Sequence, residues 1–537
     1  MNQISYAYGT NHFDADPELQ AVLRHFWPEH ETYWPDLKDF GALAGQEVYE
    51  AVYHIDHDAR PVLVAHDLDG NRVDRARLSP SETQILKKTA WITRPPYEGQ
   101  GWPYHYALLY LLGDPGLGCV LTITGQTVYA LHKYGQDAIH SAARIKEDLL
   151  SGQAFGATWM TESQGGSDLG ANQTVAIPEN DVWLLTGDKY FASGAGLTDY
   201  AITTARPVGR PDGPKGLALF LLPRLNRAGE LNYYVRRLKD KSATRAVPSG
   251  EVELNRSEAY LIGKAEEGIY YTLENLTVSR LANAVVAMAT GKKAHLEVLA
   301  RVTHRKSFGQ ILQDHPLIRR DLTDLAVRSA AGLALAFYGV KKFDGAWLDR
   351  PPYTARYHLA RFITHVAKNR TAEHAAAMTA MGMELFGGLG FLEEYGVARW
   401  HREALITPIW EGPSNIQALD FLETVKRQKA HLGFLQEMVP LLERVGTASA
   451  RQAQTTMEKA LHHLETLSGR EAEWYAKHDL KMVADATQVA LLYEMAEDQG
   501  ERWAKLAELY AIRFLTHEEY PSWADGERQI WGGAPNA

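Results

Sequence analysis

The sequence contains a single cysteine, Cys119, among its 537 residues, so the chain can form no internal disulfide. Its 21 histidines are scattered, and no group of cysteine and histidine residues has the spacing of a zinc site. These absences exclude a fold that depends on disulfides or structural zinc, and we predict no metal site. The core must therefore come from apolar residues, which make up 45% of the chain.

Long apolar runs are also missing, since no stretch of about 18 apolar residues occurs that could cross a membrane. Residues 1–17 lack the basic start and apolar run of a signal peptide, so we expect a cytoplasmic protein with no membrane partner. Positive charge is not in excess, because 56 basic and 66 acidic residues give a net charge of −10. This balance argues against nucleic-acid binding through charge alone, although a local basic patch stays open.

Helical and strand patterns divide the chain into four segments. Segment 1–155 is mainly helical in pattern, although 47–75 fits either a helix or strands. In 156–265 short apolar runs alternate with turn residues, as in a small β domain. Segment 266–430 has long helical patterns, and 431–537 continues them with 10 basic and 17 acidic residues. We predict helices at 272–304, 316–343, 355–386 and 414–429, and an α+β fold that is mainly α.

One carboxylate stands where a catalytic base is expected. Glu411 follows Trp410 and precedes Gly412-Pro413-Ser414, in which proline and serine indicate the start of a helix. An apolar ring beside a carboxyl group disfavours its charged form, and a carboxylate tuned in this way can accept a proton near neutral pH. A glutamate beside a helix start can alternatively be a simple partner of the helix dipole. Four other motifs favour the catalytic interpretation.

These four motifs offer groups that suit a planar or phosphorylated ligand. Residues 158–168 combine glycines and hydroxyls that can present donors to an anion or a ring. In 189–194 an aromatic and a hydroxyl two residues apart share one face of a strand. An arginine suited to phosphate opens 305–309, and the glycines of 384–391 permit close approach of a ligand. Each motif alone also fits an ordinary turn, strand, helix end or loop.

In this order the motifs resemble the acyl-CoA dehydrogenase family. They read Thr-Glu-x-x-x-Gly-Ser-Asp, aromatic-x-Ser, Arg-Lys-Ser-Phe-Gly, Gly-Gly-x-Gly and Glu-Gly-x-Ser-x-Ile, and they lie between 158 and 417. The spelling at 160–168, 237–241 and 409–412 is similar to the AidB-type branch, named for alkylation damage. The resemblance implies an N-terminal helical domain (1–155), a β-barrel domain (156–265), a helical bundle (266–430) and an additional C-terminal helical segment (431–537).

The resemblance also implies a reaction. Family members use FAD to remove two hydrogens from the Cα–Cβ bond of an acyl-CoA thioester, with a base that takes the α-proton and flavin N5 that receives the hydride. They form homotetramers or dimers of dimers and pass electrons to an acceptor that the sequence does not specify. Two alternatives stay open. One is an AidB-like flavoprotein associated with DNA damage or DNA binding, with weak dehydrogenase activity, and the acidic C-terminal segment disfavours it. The other binds FAD and acyl-CoA without turnover.

Residue roles follow from the same resemblance. Glu411 corresponds to the base, because Ser279 occupies the other position that some members use. Ser167 and Arg280 would bind substrate. Residues that would bind FAD are Met160, Thr161, Gly166, Ser167, Phe191, Ser193, Arg305, Ser307, Phe308, Gly387, Gly388, Ser414 and Asn415. Departures from the family pattern at Thr277, Pro316, Glu384 and Pro413 concern the CoA-binding part more than the FAD-binding part.

Overall fold

The computed structural model describes residues 5–135, 138–139 and 141–531. The outermost residues of the first and last predicted domains, 1–4 and 532–537, therefore lie outside the described residues. The helices are α1 (Pro17–Phe26), α2 (Trp34–Leu43), α3 (Tyr49–His57), α4 (Pro80–Thr89), α5 (Gly101–Leu112), α6 (Pro115–Tyr134), α7 (Ala142–Leu150), α8 (Gly268–Val302), α9 (Pro316–Asp344), α10 (Ala355–Leu385), α11 (Gly396–Ala404), α12 (Ser414–Lys426), α13 (Ala430–Val445), α14 (Ala448–Thr466), α15 (Gly469–Gln499) and α16 (Glu501–Phe514).

The strands are shorter and concentrate in the middle of the chain. They are β1 (Val62–His66), β2 (Arg72–Arg77), β3 (Gly156–Trp159), β4 (Val175–Glu179), β5 (Val182–Ser193), β6 (Tyr200–Pro207), β7 (Ala218–Pro223), β8 (Tyr234–Leu238), β9 (Ser249–Leu261), β10 (Lys306–Ser307) and β11 (Gln310–Ile311). The fold is mainly helical with a β middle region, as predicted. The ambiguous stretch 47–75 contains both structures, since α3 ends at His57 and the β1–β2 hairpin follows.

The chain divides into two compact units. One comprises Ala51–Gly99 and Asp114–Ser279, and contains β1 to β9. Its main sheet runs β3-β6-β4-β5-β9-β7, with β8 beside β9, and a further pairing of β6 with β7 closes it into a barrel. Trp159, Phe220 and Leu254 fill the barrel interior together with small alanines. Because the barrel is closed and its interior is filled, a ligand can bind at the ends of these strands, which include the end of β5.

The other unit comprises Met1–Glu50, Gln100–Gly113 and Arg280–Ala537, and is almost entirely helical. The predicted helices at 272–304, 316–343, 355–386 and 414–429 are confirmed as α8, α9, α10 and α12. Thr354 is the N-cap of α10, and its side-chain oxygen accepts a hydrogen bond from the backbone amide of Tyr357. Every residue from 360 to 372 of α10 is buried, so this helix is covered on all sides. A polar side chain in that stretch must find its partners inside the protein.

The C-terminal residues from 430 onward form α13 to α16, in agreement with the predicted helical segment. α15 packs against α9, α10 and α12 as well as against its neighbours α14 and α16. The boundaries between the four predicted domains stay predictions. Within the part of the chain that the structure describes, no helix is long and apolar enough to cross a membrane.

Candidate active site

Glu411 lies on a left-handed turn between α11 and α12. Its φ is 57° and that of Gly412 is 88°. Only glycine fits readily at the second position, because a Cβ there would come within 2.9 Å of the Gln417 amide nitrogen. A glutamate with positive φ costs on the order of 1 kcal/mol, and it persists only where the surroundings fix it. Pro413 is the N-cap of α12, and the helix begins at Ser414, the first residue of the predicted range 414–429.

Three buried side chains hold the two carbonyls of this turn. The Glu411 carbonyl accepts from Arg280 Nε at 3.0 Å and from Gln417 Nε2 at 2.9 Å. The Gly412 carbonyl accepts from Lys368 Nζ at 2.8 Å and from the same Gln417 nitrogen at 2.9 Å. These donors come from α8, α10 and α12. The backbone under the candidate base is therefore fixed from three directions.

The charges around the turn are unusual for a protein interior. Arg280 forms an ion pair with Asp420 at 2.8 Å. Burial, reinforced by the nearby Arg280 guanidinium, lowers the pKa of Lys368 to about 7, and the Glu411 carboxylate opposes that shift. Burial likewise lowers the pKa of His365 to about 3, so this ring is neutral and pairs with the Gln417 side-chain oxygen at 3.0 Å. Two cations and one oriented amide thus lie behind the half-buried Glu411.

Trp410 and Arg280 are both held by side chains close to the turn. The Trp410 indole nitrogen donates to the Asn283 side-chain oxygen, which fixes the ring beside the turn. Arg280 is 4% exposed, and its guanidinium contacts the Glu411 carbonyl and Asp420. Its predicted role in substrate binding stays a prediction.

In the barrel unit, the loop 158–168 is fastened to β5. Glu162 and Lys189 form a buried ion pair at 2.8 Å, and the Thr161 carbonyl accepts the Tyr190 amide at 3.0 Å. Although burial opposes it, the Lys189 ammonium lowers the pKa of Glu162 and so favours the charged form of this carboxylate. The first two sequence motifs are thereby joined into one rigid surface. On it the buried Met160 and half-buried Thr161 lead into the exposed residues Gly166 and Ser167.

The end of β5 exposes two consecutive aromatic rings. Pairing with β9 shifts register between Lys189 and Ala192, so Tyr190 and Phe191 both reach solvent, and Phe191 is 56% exposed. The Lys239 ammonium lies 3.4 Å from the ring centre of Tyr190 and 4.8 Å from that of Phe191. The half-buried Ser193 has its hydroxyl 3.3 Å from that of Ser249. An exposed ring and a hydroxyl therefore lie two residues apart, as expected.

The third and fourth motifs belong to the helical unit. After α8 the chain forms the β10–β11 hairpin, whose tip has Phe308 at φ 49° and Gly309 at φ 83°. Phe308 is 95% exposed and Arg305 is exposed, whereas Ser307 is half-buried. Gly387 and Gly388 follow α10, and Ser414 and Asn415 begin α12. These residues stay predicted cofactor contacts.

Comparison with known proteins shows that three family models match successive parts of the chain. Residues 2–151 match the adaptive response protein AidB N-terminal domain, 157–257 the acyl-CoA dehydrogenase middle domain, and 266–425 the acyl-CoA dehydrogenase C-terminal domain. Acyl-CoA dehydrogenase family member 11 of Caenorhabditis elegans is 30% identical over 492 residues, covering 85% of this chain and 78% of that protein. The chain belongs to the acyl-CoA dehydrogenase family.

The predicted family resemblance, including its AidB-type features, is therefore confirmed. The putative acyl-CoA dehydrogenase AidB of Escherichia coli is 32% identical over 280 residues, which is 52% of this chain and 50% of that protein. Among solved structures, C. elegans ACDH-11 in complex with C11-CoA has a TM-score of 0.85 at 26% identity, covering 97% of this chain and 93% of that one. Acyl-CoA dehydrogenases are FAD-dependent oxidoreductases.

The residues of this family member fit FAD. A Cβ at Gly388 would meet no atom of the described residues within 4 Å, and its φ is not positive, so no contact in the described part of the chain requires glycine there. The aromatic rings of Phe191 and Phe308 are uncovered, as suits stacking on a planar group. The buried Thr158 hydroxyl has no hydrogen-bond partner among the residues that the structure describes. Each of these features leaves room or contacts for a bound cofactor.

Sequence reasoning missed several residues that contact the candidate site. Lys368 and Gln417 act on the Glu411 turn, but the lysine is 43 positions away along the chain. A lysine within the apolar helical pattern of 355–386 was the available signal. In the sequence, Glu162 and Lys189 belong to two separate motifs, so their pairing was not evident. Lys239 was evident only as one residue of 237–241.

Proposed function

We propose that this chain is an FAD-dependent acyl-CoA dehydrogenase in which Glu411 removes the α-proton of an acyl-CoA thioester. The observation that carries the proposal is the Glu411 turn, where a carboxylate with positive φ stands on carbonyls fixed by Arg280, Lys368 and Gln417. A base that must reach one weakly acidic proton needs such fixed placement. The relative ACDH-11, described in complex with C11-CoA, supports an acyl-CoA as the substrate.

The protein side chains would hold and orient the bound FAD. FAD, when bound, supplies the acceptor at N5 for the hydride that leaves the β-carbon. Met160, Thr161, Phe191 and Ser193 would hold its ring system. The adenine-diphosphate end would be held by Arg305, Ser307, Phe308, Gly387 and Gly388. Since the Phe308 hairpin projects into solvent, it suits a cofactor shared with a neighbouring copy, and we propose a homotetramer or a dimer of dimers.

A panel of acyl-CoAs added without oxygen to the FAD-loaded protein tests this function. We expect at least one straight or branched acyl-CoA to bleach the flavin absorbance, with one 2-enoyl-CoA formed per flavin reduced. Spectral perturbation without bleaching across the whole panel would instead support a protein that binds acyl-CoA without turnover. A folded protein that binds no FAD would remove the basis of the proposal.

A further inference from the structure

Lys368 is a lysine in the interior of the helical unit. It is 1% exposed, in the middle of the fully buried stretch of α10. Lysine is almost never buried to this extent unless its charge is compensated. Its ammonium donates to the Gly412 carbonyl at 2.8 Å. Gly412 is the residue immediately after the candidate base. Lys368 thus places an ammonium group, whose burial costs free energy, against the backbone of the Glu411 turn.

The charged groups that act on Lys368 lie on α8 and on the Glu411 turn. From α8 the Arg280 guanidinium lowers the pKa of Lys368, and from the turn the Glu411 carboxylate raises it. From α12 the Asp420 carboxylate neutralises Arg280 through their ion pair. On α10 itself His365, three residues before Lys368, is neutral because burial lowers its pKa to about 3. Glu411 is therefore the anion with which the charge of Lys368 interacts.

We infer that Lys368 is a positioning residue for Glu411, which fixes the turn through the Gly412 carbonyl and favours the ionised, proton-accepting form of the Glu411 carboxylate. This inference rests on the proposed function of Glu411. A cation close to a carboxylate stabilises its charged form. The base is then ready over a wider range of pH than a half-buried carboxylate alone would be.

The two roles differ in their dependence on pH. The charge of Lys368 is present below pH about 7 and is lost above it, because burial lowers its pKa to about 7. The donor role persists, since a neutral amine still donates a hydrogen bond. Loss of the charge should therefore slow proton removal chiefly at low pH, whereas loss of the donor should loosen the turn at every pH.

Substitution by two different residues separates the roles. Lys368→Gln keeps a donor and removes the charge, and Lys368→Met removes both. Lys459→Gln and Lys459→Met, at an exposed site of α14, are the matched controls. The FAD-loaded proteins are reduced by a bleaching acyl-CoA in single turnovers between pH 6 and pH 9. Both Lys368 variants should move the midpoint of the rate to higher pH by about one unit, which is about tenfold slower reduction on the low-pH side.

Two measurements do not depend on turnover. Infrared difference spectra against Glu411→Gln report the ionisation of the Glu411 carboxyl, whose midpoint should rise in both Lys368 variants and in neither control. Hydrogen exchange of the peptide that contains Gly412 should accelerate in Lys368→Met but not in Lys368→Gln. If wild-type protein reduces no flavin, the proposed function fails while these two readouts still decide the role of Lys368. An unchanged infrared midpoint together with unchanged exchange, or a rate of Lys368→Gln lowered equally at all pH values, would overturn the inference.

Discussion

Glu411 adopts a positive φ although it is not a glycine, and this strain is matched by the donors gathered beneath it. The donors bind its carbonyl and that of Gly412, and they thereby fix the backbone that carries the carboxylate. Strained backbone that the surroundings over-determine is typical of functional sites. At the scale of single residues, the position of the Glu411 side chain is therefore set by contacts to the backbone of its turn.

A second buried carboxyl group, in the barrel unit, predicts a pH effect on stability. Burial, with a contribution from the nearby Asp114, raises the pKa of Glu82 to about 8. The folded protein therefore keeps a proton that the unfolded chain releases above its ordinary pKa of 4.5, so stability falls as pH rises from about 4.5 to about 8. Glu82→Gln should remove this slope and raise the free energy of unfolding at pH 8 by roughly 2–4 kcal/mol.

Thermal unfolding of Glu82→Gln and wild type at pH 5 and pH 8 measures this effect. The two proteins should agree closely at pH 5 and separate at pH 8. Equal stabilities at both values, or a variant less stable at pH 8, would show that Glu82 is ionised in the folded protein.

Arg305 predicts an effect on cofactor retention. It is exposed just before the β10–β11 hairpin, where a guanidinium can contact a diphosphate with charge-assisted hydrogen bonds. Arg305→Ala should weaken FAD binding by about tenfold, as measured by flavin released on dilution or at raised salt. Arg470→Ala, at an exposed position in α15, is the control. FAD retained equally by both variants would remove Arg305 from the cofactor site.

At the scale of elements, a buried polar network joins α10 to the C-terminal helices. Arg370 of α10 donates to Asp485 of α15 at 2.6 Å, and the Tyr510 hydroxyl of α16 donates to the same carboxylate at 2.7 Å. The ring of Phe514 lies 5.2 Å from the guanidinium. These contacts show why α15 and α16 pack on the bundle, where apolar faces alone would leave their register open.

Removal of one partner should therefore destabilise the helical unit strongly. Asp485→Asn removes the fully buried carboxylate from Arg370, which keeps its ion pair with the half-buried Glu373 at 2.7 Å, and breaking a buried pair costs about 3–5 kcal/mol. Urea unfolding monitored by circular dichroism measures the loss, with Glu508→Gln on the exposed face of α16 as the control. A loss below about 1 kcal/mol would mean that apolar contacts alone fix these helices.

Regular elements were predictable from sequence wherever local pattern decides them. The long helices α8, α9, α10 and α12 follow from apolar periodicity and from N-cap and proline signals. Stretch 47–75 was ambiguous because β1 and β2 are strands only through their mutual pairing, which local propensity does not contain. The AidB-type spelling correctly anticipated the family, and Glu411 stood out through its immediate neighbours.

The support for Glu411 was not predictable, since it depends on contacts between distant parts of the chain. Arg280 lies 131 positions from the Glu411 carbonyl that it binds, and Lys368 lies 44 positions from Gly412. Sequence assigned Arg280 to the substrate, whereas the structure places its guanidinium against the turn. Side chains that act through another residue leave no local signal, because their partners are set only by helix packing.

At the scale of the whole molecule, net charge predicts weak binding to DNA. The chain carries −10 overall, and residues 431–537 contain 10 basic and 17 acidic residues. Non-specific binding depends on neutralising phosphates, so no complex with duplex DNA tighter than about 1 μM is expected at about 0.15 M salt. Fluorescence anisotropy with a labelled duplex measures this. A tighter complex that weakens steeply with added salt would show a basic face and favour the DNA-associated alternative.

The most direct test of the dehydrogenase function is anaerobic flavin reduction in Glu411→Gln. The substitution keeps shape and removes the base, while Glu443→Gln, at an exposed site on α13, is the control. FAD content should be unchanged, and reduction by an acyl-CoA that bleaches wild type should fall at least ~100-fold. The wild-type rate should rise with pH through an ionisation that the variant lacks. Reduction at the wild-type rate in Glu411→Gln would contradict the assignment of Glu411 as the base.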